Sequence, residues 1–407
     1  MEKIKIYNVH CCGEIGDVII EGINKIEGNT ILEQSNYLFK NKKLRNFVLN
    51  EPRGGVFKHV NLLVPPKDPK AKIGFIIMEP EDNPPMSGSN SICVATVVLE
   101  CNIVPITEPI TRFIMEAPGG LVNVIASCKN GKVQTVCVEN LPSFVDKLDK
   151  IIEVKDVGTL KVDIVFGGDS FVIVNAKDIG LSIEPNQAKD IVNIASKITQ
   201  AANEQINFKH PTLERLNYIS FCQLLEPIHV NEQGIKEGKN TVCIRPGKLD
   251  RSPCGTGSSA RLAVMRARNE INVKEKFISK SIINSKFSCE IINEYTQNNI
   301  NFIKPTITGS AYVTGEQELY IDDNDPFPKT GNGVSNSGGW AHGTHVAGIL
   351  GATTDNGVGM ASTAFNVQIM SIKCSREDGE DINDPMIDDG YGGIYYAAKT
   401  GFLKGLN

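Results

Sequence analysis

Two short stretches carry the residue types from which a proton-transfer site could be built. "MSGSNSI" begins at Met86 and "SPCGTGS" at Ser252. Set Ser87 against Cys254 and the stretches match step for step: Gly88 with Gly255, Ser89 with Thr256, Asn90 with Gly257, Ser91 with Ser258. In each, a small nucleophilic residue and a glycine open a helix-like run of hydroxyl and amide residues. Ser, Thr and Asn accept hydrogen bonds from first-turn N–H groups, and glycine lets a ligand approach the backbone. The free N–H groups and the helix dipole make such an end an anion site, so two of them would hold a carboxylate from both sides. A helix N-terminus also favours thiolate, so the Cys254 thiol is expected to be acidified. It could then take a proton from a carbon next to the carboxylate. Gly-Ser-Asn clusters also cap helices without any ligand. The internal match, 167 residues apart, favours a duplicated half-domain with a site at the pseudo-twofold interface.

The elements that must position these residues are short. Each motif follows a strand-like run and a proline turn, "GFIIMEPEDNPP" before the first and "TVCIRPGKLDRSP" before the second. Up to about residue 325 the chain alternates β-branched runs with turns, which predicts antiparallel sheets. Helical stretches interrupt them. "SNSICVATVVLE" sets Ile92, Ala95, Thr96 and Leu99 on one face, and "SSARLAVMRAR" sets Ala260, Ala263, Val264 and Ala267 on one face. "PNQAKDIVNIASKITQAANEQ" predicts a longer amphipathic helix. The mixture is α+β.

At 407 residues the chain has room for two or three domains. It is 41% hydrophobic and 22% charged, with a formal net charge of -5 and no basic stripe, which argues against nucleic acid as a partner. No apolar run is long enough to span a membrane. "MEKIKIYNVHCC" alternates like a strand and lacks a signal-peptide core. The 11 cysteines include no CxxC pair, so they read as reduced thiols of a cytoplasmic protein, and adjacent Cys11 and Cys12 have no metal-ligand spacing.

"DRSPCGTGSSAR", "MSGSNSI", "FGGDSF" and "HCCGEIGDVI" resemble the proline racemase family, which includes hydroxyproline epimerases and trans-3-hydroxy-L-proline dehydratases. The resemblance runs to about "YIDDNDPFP". It implies a diaminopimelate-epimerase-like fold of two similar halves, each a sheet wrapped around a central helix, here about 1–145 plus 300–328, and 146–299. It also implies a cleft between them, no cofactor, no metal, a proline or hydroxyproline substrate and homodimers. On this resemblance Cys254 matches a catalytic cysteine, and Ser87 stands where racemases have the other. Asp250 and Asp169 match acids that hold the ring nitrogen. Gly88, Ser89, Gly255 and Thr256, with Asn90 in the same turn, match the carboxylate-binding segment. Ser89 departs from the family's usual histidine. From the residues alone, Asp169 in "GGDS" also suits a turn, and Asp250 a cap or loop ion pair.

The hydroxyl at position 87 bears on the reaction. Stereoinversion needs a base on one face of the α-carbon and an acid on the other, and two thiols suit this near neutral pH. Serine is too weak an acid to exchange roles with Cys254. Elimination needs one base, and Ser87 then serves as a polar partner for the departing hydroxyl. The Ser/Cys pairing, "HCCGEIGDVI" and "NLLVPPKDP" resemble the dehydratase branch. The expected activity is dehydration of trans-3-hydroxy-L-proline to pyrroline-2-carboxylate, with proline racemase or 4-hydroxyproline 2-epimerase as the alternative.

After about residue 328 the texture changes. "HGTHVAGILGATTDNGVGMAS" resembles the histidine segment of subtilisin-like serine proteases, with His342 as the triad base and His345 three residues on. The resemblance implies a partial subtilase-like α/β fragment over 329–407. A lone histidine has nothing to activate, and neither an Asp-Ser/Thr-Gly nor a "GTSMA" segment accompanies it, so proteolysis is not expected. Its strands and helices lack their partners, so the segment is expected to pack poorly.

Overall fold

The structure, a computed structural model, describes residues 3–320 except 51 and 213–215. The subtilase-like expectations for 329–407, His342 among them, lie outside the described residues.

The fold is two rings of strands, each built by one order of pairings. In the first ring Lys3–Cys11 runs antiparallel to Asp17–Glu21, which is parallel to Val60–Val64. Val60–Val64 is antiparallel to Ile73–Met78, which is parallel to Ile110–Ala117. Gly120–Lys129 and Lys132–Glu139 follow as antiparallel neighbours. Lys132–Glu139 then pairs with the end of Ile300–Gly309, whose chain continues into Ala311–Tyr320 and back onto Lys3–Cys11.

The second ring repeats the order. Gly158–Phe166 is antiparallel to Ser170–Asn175, which is parallel to Phe221–Leu225. Phe221–Leu225 is antiparallel to Lys236–Ile244, which is parallel to Lys276–Lys280. Lys286–Gln297 and Ile300–Gly309 follow, and Ser143–Val154 closes the ring onto Gly158–Phe166. Ser143–Val154, which a boundary at residue 145 would cut, therefore lies wholly in the second ring, and Ile300–Gly309 serves both.

The expected antiparallel sheets are corrected to mixed ones, with two parallel pairs in each ring. A parallel pair needs a crossover, and each crossover holds helix. Ile31–Lys40 and Lys43–Leu49 lie in one, with Ile31, Leu38, Phe47 and Leu49 in a cluster against Ile6, Ile19 and Leu62. Ala188–Gln205 lies in its counterpart and buries Ile191, Ala195 and Ile198, as its periodicity predicts. The other two crossovers carry Gly88–Glu100 and Gly255–Ala267. These are the central helices, and the sequence reading of one apolar face is too narrow for them. Every residue from Gly88 to Leu99 and from Gly255 to Met265 is buried, because a ring of strands covers each helix on all sides. Where strands close in on the second helix, a strand glycine makes room for a large helix side chain: the buried Arg261 guanidinium occupies the space a side chain on Gly238 would need and donates to the Lys239 and Glu226 carbonyls.

Among the described residues no helix is long and apolar enough to cross a membrane.

Candidate active site

The two central helices begin against each other. A Cβ added to Gly88 would stand 2.8 Å from the Gly255 Cα, and one added to Gly255 would stand 2.6 Å from the Gly88 Cα. No side chain fits there, so the backbones touch. Ser87 and Cys254 are the N-caps of these helices, and the fold therefore brings the paired motifs to one place.

The caps differ. Ser87 has extended backbone (φ -148°) and its hydroxyl takes no bond from the backbone N–H groups of its own first turn. It accepts instead from the Asn90 side chain, Nδ2 to Oγ 2.9 Å. Cys254 has φ +57°, a region costly for a side chain with a Cβ. There its Sγ accepts from Gly257 N at 3.3 Å and lies 3.5 Å from the Thr256 hydroxyl, while Ser252 Oγ accepts from its N–H. The expectation of an acidified thiol is not met. Burial pushes the Cys254 thiol well above its usual range, and neighbouring Asp250 adds to that. Thr256 and Gly257 pull the other way. One helix end does not offset the removal of sulfur from water.

Five buried carboxylates, Asp169, Asp250, Glu14, Asp82 and Glu79, from loops and strand ends of both rings, lie near one another, with Asp250 beside Cys254. Asp169 follows a glycine turn packed on the second helix: a Cβ on Gly167 would stand 2.2 Å from the Thr256 carbonyl oxygen. Its Oδ1 accepts from Ser170 N and Ser220 Oγ. Asp250 is held through Ser252 N (2.8 Å) and its own N–H to the Val242 carbonyl (2.9 Å). Both are almost fully buried, and among the described residues neither makes an ion pair. Burial, then Asp82, pushes Asp169 up to about 7. Burial, then Glu14, pushes Asp250 up to about 7.

Sequence reasoning missed the other three. Glu14 pairs with Lys248 and accepts from Arg251 N at 2.9 Å. Asp82 accepts from Tyr218 OH at 3.0 Å and Arg245 Nη2 at 3.1 Å. Both sets of contacts join one ring to the other. Glu79 is pushed by burial up to about 8. Asp82 and Glu79 stand in "MEPEDNPP", where three acids beside the motif were a signal, overshadowed by the prolines. Glu14 had no local signal. It pairs with Cys11 at the strand end just past the hairpin turn of the first ring, the place that corresponds to Asp169 just past the glycine turn of the second.

The arrangement sorts itself by charge. Glu14 and Asp82 already have cations, whereas Asp169 and Asp250 do not. A ligand with one ammonium and one carboxylate has complementary partners here: two unpaired acids for the first and two abutting helix N-termini for the second. Among the described residues no group of side chains has metal-site geometry.

The proline racemase family profile matches residues 6–331. The chain belongs to the proline racemase family. A hydroxyproline epimerase from Agrobacterium vitis, solved with bound trans-4-OH-L-proline, is 35% identical. The match covers 80% of this chain and 94% of that one, with a TM-score of 0.76. A probable proline racemase from Agrobacterium radiobacter K84, with bound carbonate, is 36% identical over 80% of this chain and 95% of that one, TM-score 0.75. Family membership fits the expected two-halved fold and supports an amino-acid racemase or epimerase class of chemistry.

Proposed function

We propose that this family member dehydrates trans-3-hydroxy-L-proline to pyrroline-2-carboxylate, with Cys254 as the base. The observation that carries the reading is a hydroxyl, Ser87, at one of two touching helix heads and a thiol, Cys254, at the other. An alcohol cannot trade protons with a thiol in both directions near neutral pH. Inversion through Ser87 is therefore disfavoured.

Stereochemistry makes elimination easier. In trans-3-hydroxy-L-proline the carboxylate and hydroxyl lie on opposite ring faces, so the α-hydrogen and the hydroxyl share a face. One thiolate on that face removes the α-proton as the C–O bond breaks. The resulting thiol returns the proton to the leaving hydroxyl, and water departs. The ring keeps a C2=C3 double bond and becomes the imine as C3 gains a proton and the nitrogen loses one. Ser87 on the other face then contributes a hydrogen bond to the ring rather than serving as partner of the departing hydroxyl.

The surroundings support this assignment. Asp169 and Asp250 would hold the ring ammonium, and the first-turn N–H groups of Gly88, Ser89, Asn90, Gly255 and Thr256 would hold the carboxylate, where negative charge grows as the α-proton leaves. Burial is the main reason the Cys254 thiol stays protonated and Asp250 the second, and an ammonium beside Asp250 offsets that second part, so substrate itself shifts the balance toward thiolate.

The alternative, racemisation or 4-hydroxyproline epimerisation, is favoured by the named function of the Agrobacterium vitis relative. A panel of proline and its hydroxylated isomers separates the two. Dehydration gives an imino acid detectable with o-aminobenzaldehyde and is lost in Cys254→Ser. Epimerisation exchanges the α-proton with solvent deuterium while the hydroxyl stays. Epimer without imino acid would sink the lyase reading.

A further inference from the structure

Ser87 sits at the end of a buried chain of side-chain amides whose polarity is fixed from the backbone. Asn61, fully buried, donates its Nδ2 to the carbonyls of Gly16 (3.1 Å) and Asp17 (3.2 Å). Carbonyls only accept, so the nitrogen of Asn61 must be on that side. The same nitrogen lies 2.8 Å from Asn90, which must therefore present its oxygen. That choice turns the Asn90 nitrogen toward Ser87, 2.9 Å from Oγ, and toward His59 Nδ1 at 3.5 Å.

His59 fits the same polarity. It is 2% exposed, and burial, then Lys248, pushes its imidazole well below its ordinary range, so the ring is neutral. Its Nδ1 faces the Asn90 amide and lies 3.6 Å from Glu79, while Nε2 lies 3.8 Å from Glu14 and has no hydrogen-bond partner among the described residues. A neutral ring with its lone pair on Nδ1 accepts from Asn90 and leaves its Nε2 N–H on the side of Glu14, beyond hydrogen-bond reach.

We propose that Asn90 is a positioning residue that makes Ser87 a hydrogen-bond donor toward the substrate ring, with Asn61 and His59 fixing the orientation of Asn90. With one Oγ lone pair occupied by Asn90, the serine proton points away from the amide. Among the described residues its other side-chain hydrogen-bond partner is Ser89 Oγ at 3.4 Å, a weak competitor. The hydroxyl thus offers its proton to whatever lies between the helix heads. It is turned away from service as a base, which deepens the one-thiolate reading above and rests on it.

The test is a double-mutant cycle between Asn90→Asp and Ser87→Ala. Aspartate keeps the shape and still accepts from Asn61, but it cannot donate, so Ser87 must turn its proton back onto it. Loss of one hydrogen bond to a substrate carrying developing charge predicts a fall in kcat of about 10–100-fold for N90D. In the S87A background the kcat cost of N90D should fall below about twofold, because the hydroxyl it acts on is gone, while the repulsion of the substrate carboxylate by the added charge raises KM in both backgrounds. A merely structural residue would cost the same factor in both backgrounds, and that result overturns the proposal. Thermal unfolding accompanies each variant. If N90D folds poorly, Asn90→Ala replaces it, with a smaller loss that again disappears without Ser87.

The cycle is also read by calorimetric binding of pyrrole-2-carboxylate, a planar ring carboxylate resembling the deprotonated substrate. A wild type that binds this probe but turns over no ring amino acid overturns the lyase reading and leaves the cycle to judge Asn90. A wild type that does neither overturns both.

Discussion

Gly88 and Gly255 touch through their backbones, with 2.6 Å between a Cβ built on Gly255 and the Gly88 Cα. This contact sets the distance between Ser87 and Cys254, because each is the residue next to its glycine. A Gly255→Ala substitution must push the helix heads apart. Overpacking of this kind costs about 1–3 kcal/mol, and the larger effect should be on turnover. We expect a drop in kcat of more than about 100-fold with a modest fall in melting temperature, since a misplacement of about 1 Å carries that penalty. Equal activity in G255A would show that the spacing of the heads is not used.

Asp169 and Asp250, each pushed up to about 7, tie ligand binding to pH. A ring ammonium binds the ionised forms, so affinity should fall as pH drops below about 7, and binding near pH 6 should release protons. Calorimetry in buffers of different ionisation enthalpy measures that release.

The same groups act on stability with the opposite sense. A carboxyl raised in the folded state holds its proton there while the unfolded chain loses it, so folded stability declines as pH rises from about 4 through 7. Asp169→Asn keeps the Oδ1 acceptor and removes this cost. At pH 8 it should raise the melting temperature by about 1–4 °C while removing activity. An unchanged or lowered midpoint at pH 8 would count against a raised Asp169.

Asp82 joins the rings through Tyr218 and Arg245, and it is the largest charge acting against ionisation of Asp169. Asp82→Asn removes that like charge and leaves Arg245 closer to unpaired. Both changes lower the Asp169 pKa. The acid limb of KM against pH should move down by about half a unit or more. A limb that stays in place would mean that Asp82 acts on closure alone.

Thiol labelling should separate Cys254 from its neighbours. Cys12 is partly exposed, and a bond from Cys11 holds its thiol below the usual range, so it should alkylate first at pH 7. Cys254 should label slowly in the free protein. Mass spectrometry of the two peptides over time gives the order, and fast labelling of Cys254 would restore the acidified thiol.

Replacing Ser87 with Cys supplies the second thiol that inversion needs. The variant should gain α-proton exchange and D/L interconversion of proline, read by chiral chromatography. Failure of Ser87→Cys to gain either would show that position 87 does not face the α-carbon.

Much of the site was legible because the chain states it twice. The match of Ser87–Ser91 to Cys254–Ser258 announced a duplication, and the two rings share one order of parallel and antiparallel pairs. Strand runs and the long helix Ala188–Gln205 were visible as periodicity. The central helices were visible only as helices. Their burial on all sides reflects ring closure between strands such as Ser143–Val154 and Ile300–Gly309, which no local pattern encodes.

The electrostatics were the least legible part. A helix N-terminus is a local feature and suggested an acidic Cys254, but desolvation and the nearness of Asp250 depend on the whole fold and reverse that sign. Glu14 meets Lys248, and Asp82 meets Arg245, across more than 160 residues of chain. What the sequence determined alone was chemical identity and its repetition: a thiol here, an alcohol there, glycine beside each. What only tertiary structure decided was which acids are paired, which are left bare, and which way each buried proton points. Those depend on distance and burial, and both arise when remote segments close around the helix heads.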